Sequence, residues 1–448
     1  MRASRTDHSR RFSDLEDWLN WLETLHPQKI DLGLDRIKEV LVAMGLERPT
    51  YRIITVGGTN GKGSCVAILE SIYLEAGYRV GAFTSPHLWR FNERLRVDGQ
   101  DISDDELVAI FSAIDAARGA VTLTYFEFSA VAAIAEFARQ GVQLAIFEVG
   151  LGGRLDAVNA LDPDASLIVS IDLDHQAWLG DTREAVALEK AGILRKARPA
   201  IVAERDPPAV LVAYAQNLGT TLRLLGRDFD YELLPDGGWR YQAAAWEPPT
   251  LPVPSFGGRV QLGNVAACVA VIHSLAVELP VSDAALASGI ERAWLPARLE
   301  RRLLDGIEWV FDVAHNPAAA GVLADELALR GKPRRTIAVF AAMADKDLAG
   351  IIDPLLPVVD EWLVTCADTE RGASEDTLIA VLTECHAKRI SAYPVVAEAC
   401  RHARDLAADG DRVLVFGTCY VVGPAMMALG LYCAPYQPDD RSSTWTGA

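Results

Sequence analysis

The stretch Val56-Gly-Gly-Thr-Asn-Gly-Lys-Gly-Ser64 carries the residues best suited to hold a phosphate. A glycine-rich turn between strand and helix leaves backbone N–H groups unpaired around one point, and the positive end of the helix dipole adds to their field. Lys62 supplies a point charge for β- and γ-phosphates, and the Ser64 hydroxyl can reach a magnesium ion. The spacing departs from the general Walker form, because three residues separate Gly57 from Gly61 and Gly63 stands between the lysine and the hydroxyl. The bland alternative is a glycine turn with a solvated lysine. A β-branched run before it and a helical pattern after it argue against that.

Ser85, Glu148, His175 and Asp312 fall at or just after predicted strands. Ligands in open α/β sheets collect outside the carboxyl ends of the strands, so Lys62, Ser64, Ser85, Glu148 and His175 can converge without being adjacent in sequence. Ser85 before Pro86 reads equally well as a turn residue. His175 alone reads as a packed or surface histidine, and Lys190 as a solvated charge on a helix. Glu148, inside Ala-Ile-Phe-Glu-Val-Gly, must be paired, protonated or metal-bound. A structural salt bridge is its main alternative. No Ser-His-Asp order and no HExxH stands out. An ATP-driven reaction needs neither, since the nucleophile can belong to the substrate.

The elements that must position these groups follow from periodicity. Ile53–Val56 reads as a buried strand and Ser64–Ala76 as a helix. Ser13–Leu25 reads as a helix capped by Ser13, followed by helices over Asp35–Met44, Asp101–Ala117 behind Ser103, Phe128–Arg139 and Arg183–Leu194. Strands are predicted at Arg79–Thr84, Leu144–Val149 and Leu167–Ile171, with added strands between 221 and 260 and a Pro-rich surface connection at 248–254. Asn264–Leu275 and Asp283–Ala293 read as helices. After Leu295-Pro-Ala-Arg298, apolar runs alternate with helical segments, which implies a second, smaller α/β unit. The expected fold class is α/β: a large P-loop-type ATPase domain with a central, mostly parallel sheet over 1–296, and a smaller Rossmann-like open α/β domain over 297–435. Residues 1–12 and 436–448 read as a disordered lead and tail.

Composition narrows the partners. A length of 448 residues favours two or more domains, and a hydrophobic fraction of 50% suffices for large cores. A net charge of −18 argues against a nucleic-acid partner. The seven cysteines are scattered without a CxxC pair and read as reduced core residues of a cytoplasmic protein. No secretory leader and no apolar run of bilayer-spanning length is evident, so no membrane role is expected.

Seven motifs in order carry a resemblance: Gly58-Thr-Asn-Gly-Lys-Gly-Ser64, Thr84-Ser-Pro-His-Leu88, Leu123-Thr-Tyr-Phe-Glu127, Glu148-Val-Gly-Leu-Gly-Gly-Arg-Leu-Asp156, Asp174-His175, Glu189-Lys-Ala-Gly-Ile193 and Asp312-Val-Ala-His-Asn-Pro317. Over about residues 13–430 the chain resembles the folylpolyglutamate synthases among the Mur-ligase-like ATP-dependent amide ligases, most closely in their bifunctional dihydrofolate synthase form. The resemblance implies ligation of L-glutamate to dihydropteroate and to the glutamyl tail of reduced folates, through an acyl phosphate. It implies ATP phosphates at Thr59, Asn60, Gly61, Lys62, Gly63 and Ser64, with Asn264, Arg298 and Asp312 on the nucleotide. Two magnesium ions would be held by Ser64, Ser85, Glu148, His175 and a carbamylated Lys190, and Lys62, Lys190 and His175 would serve catalysis. The pteroate would lie against Lys29, Ile30, Asp31 and Leu32, against Thr124, Tyr125, Phe126 and Glu127, and against Leu155, Asp156 and Ala157. A flat pterin stacks on a ring, which suits Phe126. A monomer is implied.

Three positions depart from the family pattern. Ala297 stands where a hinge glycine is expected, Gln261-Leu-Gly precedes Asn264, and Phe416-Gly-Thr418-Cys419 replaces Phe-Gly-Ser. The competing readings are a monofunctional folylpolyglutamate synthase, another Mur-type ligase such as one acting on peptidoglycan precursors, and a non-catalytic nucleotide-binding protein. Asp31-Leu-Gly-Leu34 and Leu123–Glu127 weigh against the second. The intact Lys62, Ser64, Glu148, His175 and Lys190 weigh against the third.

Overall fold

The computed structural model describes residues 11–234, 238–244, 246 and 250–431. The lead at 1–10, the tail from 436 and part of the Pro-rich connection lie outside them. The first sheet has eight strands: β1 (Arg52–Gly57), β2 (Val80–Phe83), β3 (Leu95–Val97), β4 (Gln100–Asp101), β5 (Leu144–Glu148), β6 (Ala165–Ile168), β7 (Pro199–Val202) and β8 (Thr221–Leu224). Their order is β4-β3-β2-β5-β1-β6-β7-β8. All neighbours from β2 to β8 pair in parallel, and only β3 and β4 run antiparallel at one edge.

The strands are apolar on both faces because helices cover both. Along β1, Ile53 packs into one core, whereas Ile54 and Val56 pack into the other. Each such side chain contributes about 2 kcal/mol by burial. The hairpin β9 (Phe229–Leu233) and β10 (Trp239–Ala243) stands apart from this sheet. The second sheet contains β11 (Glu300–Leu304), β12 (Ile307–Asp312), β13 (Thr336–Phe340), β14 (Glu361–Thr365), β15 (Ile390–Tyr393) and β16 (Arg412–Phe416), in the order β11-β12-β16-β13-β14-β15. It too is parallel except at its β11 edge, with a core on each face. The expected α/β class, with a larger and a smaller mostly parallel sheet, is the observed one.

Several predicted boundaries shift, each for a local reason. The first helix is Leu15–Leu25 and its cap is Asp14, not Ser13, because the Asp14 carboxylate accepts the Glu16 N–H at 2.8 Å. The helix after the glycine turn starts at Lys62, two residues earlier than expected. Gly61 caps it at φ +84, and a Cβ there would come within 2.7 Å of Val169 Cγ1. The helix predicted from Phe128 runs over Tyr125–Gln140, since Thr124 and Glu127 form a capping box. The helix predicted from Asn264 starts at Gln261. β6 ends at Ile168 rather than Ile171, and the helix at Arg183 ends at Ala191.

Two features join the sheets. The link between them, Leu295–Leu299, holds Ala297 at φ +56 and Leu299 at φ +49. Leu88, from the loop after β2, packs against a core of the second sheet, and its carbonyl oxygen would lie 2.2 Å from a Cβ on Gly423. Left-handed backbone costs an L-residue roughly 1–2 kcal/mol, and glycine removes that cost while adding entropy to the unfolded chain. Ala297→Gly is therefore expected to raise stability by roughly 0.5–1 kcal/mol in a urea titration with unchanged slope. Ala130→Gly, inside a helix, should lower it by about 1 kcal/mol or more. A loss at both positions would show that Ala297 is not strained.

Candidate active site

The carboxyl ends of β2, β5, β1 and β6 lie side by side, and each delivers part of the site. β1 feeds the glycine turn, whose helix Lys62–Glu75 begins with N–H groups that have no intrahelical acceptor. The turn is stitched to the chain after β6. Thr59 N–H donates to Ser170 O at 2.8 Å, Asn60 N–H to Ser170 Oγ at 2.8 Å, and Asp172 N–H to Thr59 Oγ1 at 3.0 Å. Lys62 folds back over the turn, donating to Gly58 O and Thr59 O at 3.1 Å. Burial pushes its ammonium below the usual lysine range, and Glu148 opposes the shift. Asn264 reaches the same turn, its Oδ1 lying 3.1 Å from where a Cβ on Gly61 would stand.

Glu148 ends β5, buried. Burial raises its pKa and Lys62 offsets part of the rise. Its Oε2 accepts the Ser85 N–H at 3.0 Å, while Oε1 has no hydrogen-bond donor among the described residues. His175 follows β6 at φ +52. Burial pushes its pKa down to about 4, which keeps the imidazole neutral and a ring lone pair free at neutral pH. Lys190 is only 3% exposed, and its ammonium makes no hydrogen bond or ion pair among the described residues. Burial, helped by the charge of Lys62, lowers its pKa to about 7.

Part of this set borders a cavity of about 600 Å³; Thr59–Lys62, Ser64, Lys190 and Asn264 lie outside its lining. Ser85, Glu148, His175, Gly63 and Arg298 line it. All the predicted pteroate segments line it as well, with one exception: Tyr125 turns away, packing edge-on against Phe91 under the Arg94 guanidinium. Phe126 presents its ring to the cavity beside Phe83, 5.7 Å between centroids. Asp156 is buried, its oxygens accepting Leu151 and Val158 N–H, and burial raises its pKa to about 7. Asp31 and Glu127 share Arg36, with Arg36 Nη1 2.6 Å from Asp31 and Nε 3.2 Å from Glu127. Lys29 pairs with Glu370 across the mouth. Asp312 sits outside the lining and clamps the link, accepting Leu299 and Ala314 N–H at 2.8 Å.

Sequence reasoning missed the residues that tie the second sheet to this site. Asp174 takes Lys346 and His315 on one carboxylate, 9% exposed. Burial opposes its ionisation, and the nearby His315 ring and Lys346 together hold it well below the usual carboxylate range. Asn60 and Asn316 exchange amide hydrogen bonds at 3.1 and 2.9 Å. The Asp174-His175 and Asp312–Pro317 motifs were visible as motifs, but nothing in them said that they meet. Arg36 had no motif to mark it.

By donor chemistry, Glu148 with its free oxygen and the Ser64 and Ser85 hydroxyls suit a hard divalent cation, whereas the His175 imidazole is a nitrogen donor. No group of three or more His, Cys, Asp or Glu poised for a metal occurs among the described residues. The bare amine of Lys190 adds no donor of the oxygen type that magnesium prefers. No helix among the described residues is long and apolar enough to cross a membrane.

Comparison with known proteins places relatives beside this geometry. The profile of the Mur ligase glutamate ligase domain matches residues 297–419. A dihydrofolate synthase/folylpolyglutamate synthase of Escherichia coli is 39% identical over 414 residues, spanning 92% of this chain and 95% of that protein. The structure of Escherichia coli FolC in complex with DHPP and ADP superposes with a TM-score of 0.88 at 38% identity, covering 93% of this chain and 98% of that one. A bifunctional folylpolyglutamate synthase/dihydrofolate synthase of Yersinia pestis, complexed with AMPPNP and a Mn ion, gives 0.86 at 39% identity, covering 96% and 100%.

The Asp174–Lys346 contact is expected to couple the two sheets energetically. Asp174→Asn and Lys346→Met should each destabilise the protein. The double variant should lose less than the sum by at least about 1 kcal/mol in a double-mutant cycle. Simple additivity would mean that the contact ties nothing.

Proposed function

The chain belongs to the dihydrofolate synthase/folylpolyglutamate synthase family, and from that membership we propose how its own residues carry the reaction. The protein is an ATP-dependent ligase that joins L-glutamate to folates. Both acceptors are served, dihydropteroate and the glutamyl tail of reduced folates. Residues 1–296 hold nucleotide and pteroate, and 297–435 close over them. The observation that best supports this reading is one cavity shared by the chain ends after β2, β5 and β6, the helix after β1 at Gly63, and the three predicted pteroate segments.

The acceptor carboxylate attacks the γ-phosphorus of ATP, giving an acyl phosphate and ADP. The amine of glutamate then attacks the acyl carbon and phosphate leaves. Thr59–Ser64 cradle the phosphates. Lys62 gives up its two backbone carbonyls for phosphoryl oxygens, which carry the growing charge. Asn264 and Arg298 hold the nucleotide, and Asp312 positions Arg298 by gripping the adjacent Leu299 N–H. Ser64, Ser85, Glu148 and His175 hold magnesium, which polarises the phosphoryl oxygens when bound. Phe126 takes the pterin ring, and Asp31, Glu127 and Asp156 serve its N–H groups. Tyr125 acts only by supporting this wall. A cleft closed by the second domain keeps water from the acyl phosphate. The protein works as a monomer in the cytoplasm.

Lys190 is carbamylated in the working enzyme. A pKa near 7 leaves much of its amine neutral at physiological pH, and the amine adds carbon dioxide with loss of a proton. The product is an oxygen anion of the kind magnesium prefers. Protonation of the amine competes, so the carbamate is lost as pH falls below about 7. A carbon-13 carbamate resonance is expected with labelled carbon dioxide, fading below that pH and absent in Lys190→Ala. That variant should lose roughly 100-fold in kcat and regain part of it with a short-chain carboxylate. Full activity of Lys190→Ala would overturn the assignment.

The reaction itself is tested by phosphate release with ATP, magnesium, glutamate and each acceptor in turn, with masses of the products. A gain of one glutamate on dihydropteroate and on tetrahydrofolate is expected. A gain on tetrahydrofolate alone would restrict the protein to polyglutamylation.

A further inference from the structure

The loop after β2 contains a pair of side chains that the reaction as described does not use. Arg94 is 9% exposed, and its guanidinium lies 5.7 Å from the Phe91 ring centroid and 5.5 Å from that of Tyr125. Its Nε donates to His87 Nδ1 at 2.9 Å. Among the described residues neither Nη of Arg94 has a hydrogen-bond acceptor, although both residues line the cavity. A guanidinium so nearly buried with two idle nitrogens is a costly arrangement unless an acceptor comes to it.

The Arg94 contact also fixes the histidine. An arginine can only donate, so His87 Nδ1 must be the bare nitrogen and Nε2 must carry the proton. Nε2 has no partner among the described residues. The adjacent carboxylate does not compete for these donors. Glu93 is already engaged by three backbone N–H groups, those of Leu88 at 2.7 Å, Trp89 at 3.0 Å and Arg90 at 2.6 Å. The pair therefore presents donors and the positive charge of the Arg94 guanidinium, which is the complement of a carboxylate.

Resting on the reaction proposed above, we infer that His87 and Arg94 form a carboxylate-binding subsite of the cavity, with the Nε2–H of His87 and the Nη groups of Arg94 as its donors. The carboxylate is one that does not react, on the incoming glutamate or on the acceptor's glutamyl tail; dihydropteroate has only the carboxylate that attacks ATP. Both offer the same chemistry, and the kinetics separate them.

The test compares His87→Phe, His87→Gln and Arg94→Met with the unaltered protein. It reads KM for glutamate, for each acceptor and for ATP, together with thermal stability. Loss of a hydrogen bond to a charged group is worth about ten-fold or more in affinity. His87→Phe and Arg94→Met should raise the KM of one carboxylate substrate by about ten-fold or more and leave that for ATP within about two-fold. His87→Gln, whose amide N–H can stand near the lost Nε2–H, should recover most of it. A rise for glutamate assigns the subsite to the amino acid, and a rise for tetrahydrofolate but not dihydropteroate assigns it to the glutamyl tail. Unchanged KM values with lowered melting temperature, or a Gln variant as impaired as Phe, would overturn the inference. Equilibrium binding of L-glutamate and of tetrahydrofolate to the same variants is measured in parallel. Absence of turnover in the unaltered protein would then refute the proposed reaction while the subsite is still judged.

Discussion

One carboxylate and two ammonium groups must be kept from water together at the head of the first sheet. Glu148 and Lys62 steady each other against burial, each offsetting part of the other's desolvation. Lys190 is the surplus cation, with no ion-pair partner among the described residues, and burial, helped by the charge of Lys62, loosens its proton. The surrounding fold follows from this imbalance. Buried charges need fixed dipoles and partners, so the turn at Thr59–Gly61 is stitched to the chain after β6, and Ser85 donates its backbone N–H to Glu148. A site prepared for polyanions and cations cannot neutralise itself internally without losing the capacity to bind them.

The sheet topology makes that crowding possible. Four parallel strands deliver a phosphate turn, a carboxylate, a hydroxyl and an imidazole to one edge. Helices on both faces keep everything below that edge dry and apolar. Polar chemistry is thereby confined to a layer one loop deep. The second sheet meets this layer with side chains from its own strand-end loops, Lys346, His315 and Asn316. The opposing faces of the cleft are thus both strand-end surfaces, the part of an α/β fold where backbone can be shaped without disturbing a core.

The sequence was informative where function compresses into short motifs and where period reveals burial. The glycine turn, Glu148 in its apolar run and the second alternation after Arg298 were all legible. Boundaries failed where a cap decides them. The aspartate at 14 outcompeted Ser13, and Thr124 with Glu127 extended a helix by three residues through a capping box that was present in the sequence. This also explains Tyr125, since three successive residues on a helix cannot all face one cavity. What no period or motif could supply was the meeting of Asn60 with Asn316 and of Asp174 with Lys346, pairs 256 and 172 residues apart. Registration between two separate sheets is set by the link at Ala297 and by shape, and neither is written in a local pattern.

Leu88 changes how the two halves should be counted. By chain order its loop belongs to the first sheet, yet Leu88 packs against the second sheet's core, and Gly423 leaves room for its carbonyl. Ser85 and His87 lie within three residues of that anchor. The loop that carries Ser85 and His87 is therefore anchored in both halves of the molecule. The segment bearing a candidate cation ligand and half of the carboxylate subsite is thus held by both sheets rather than by one.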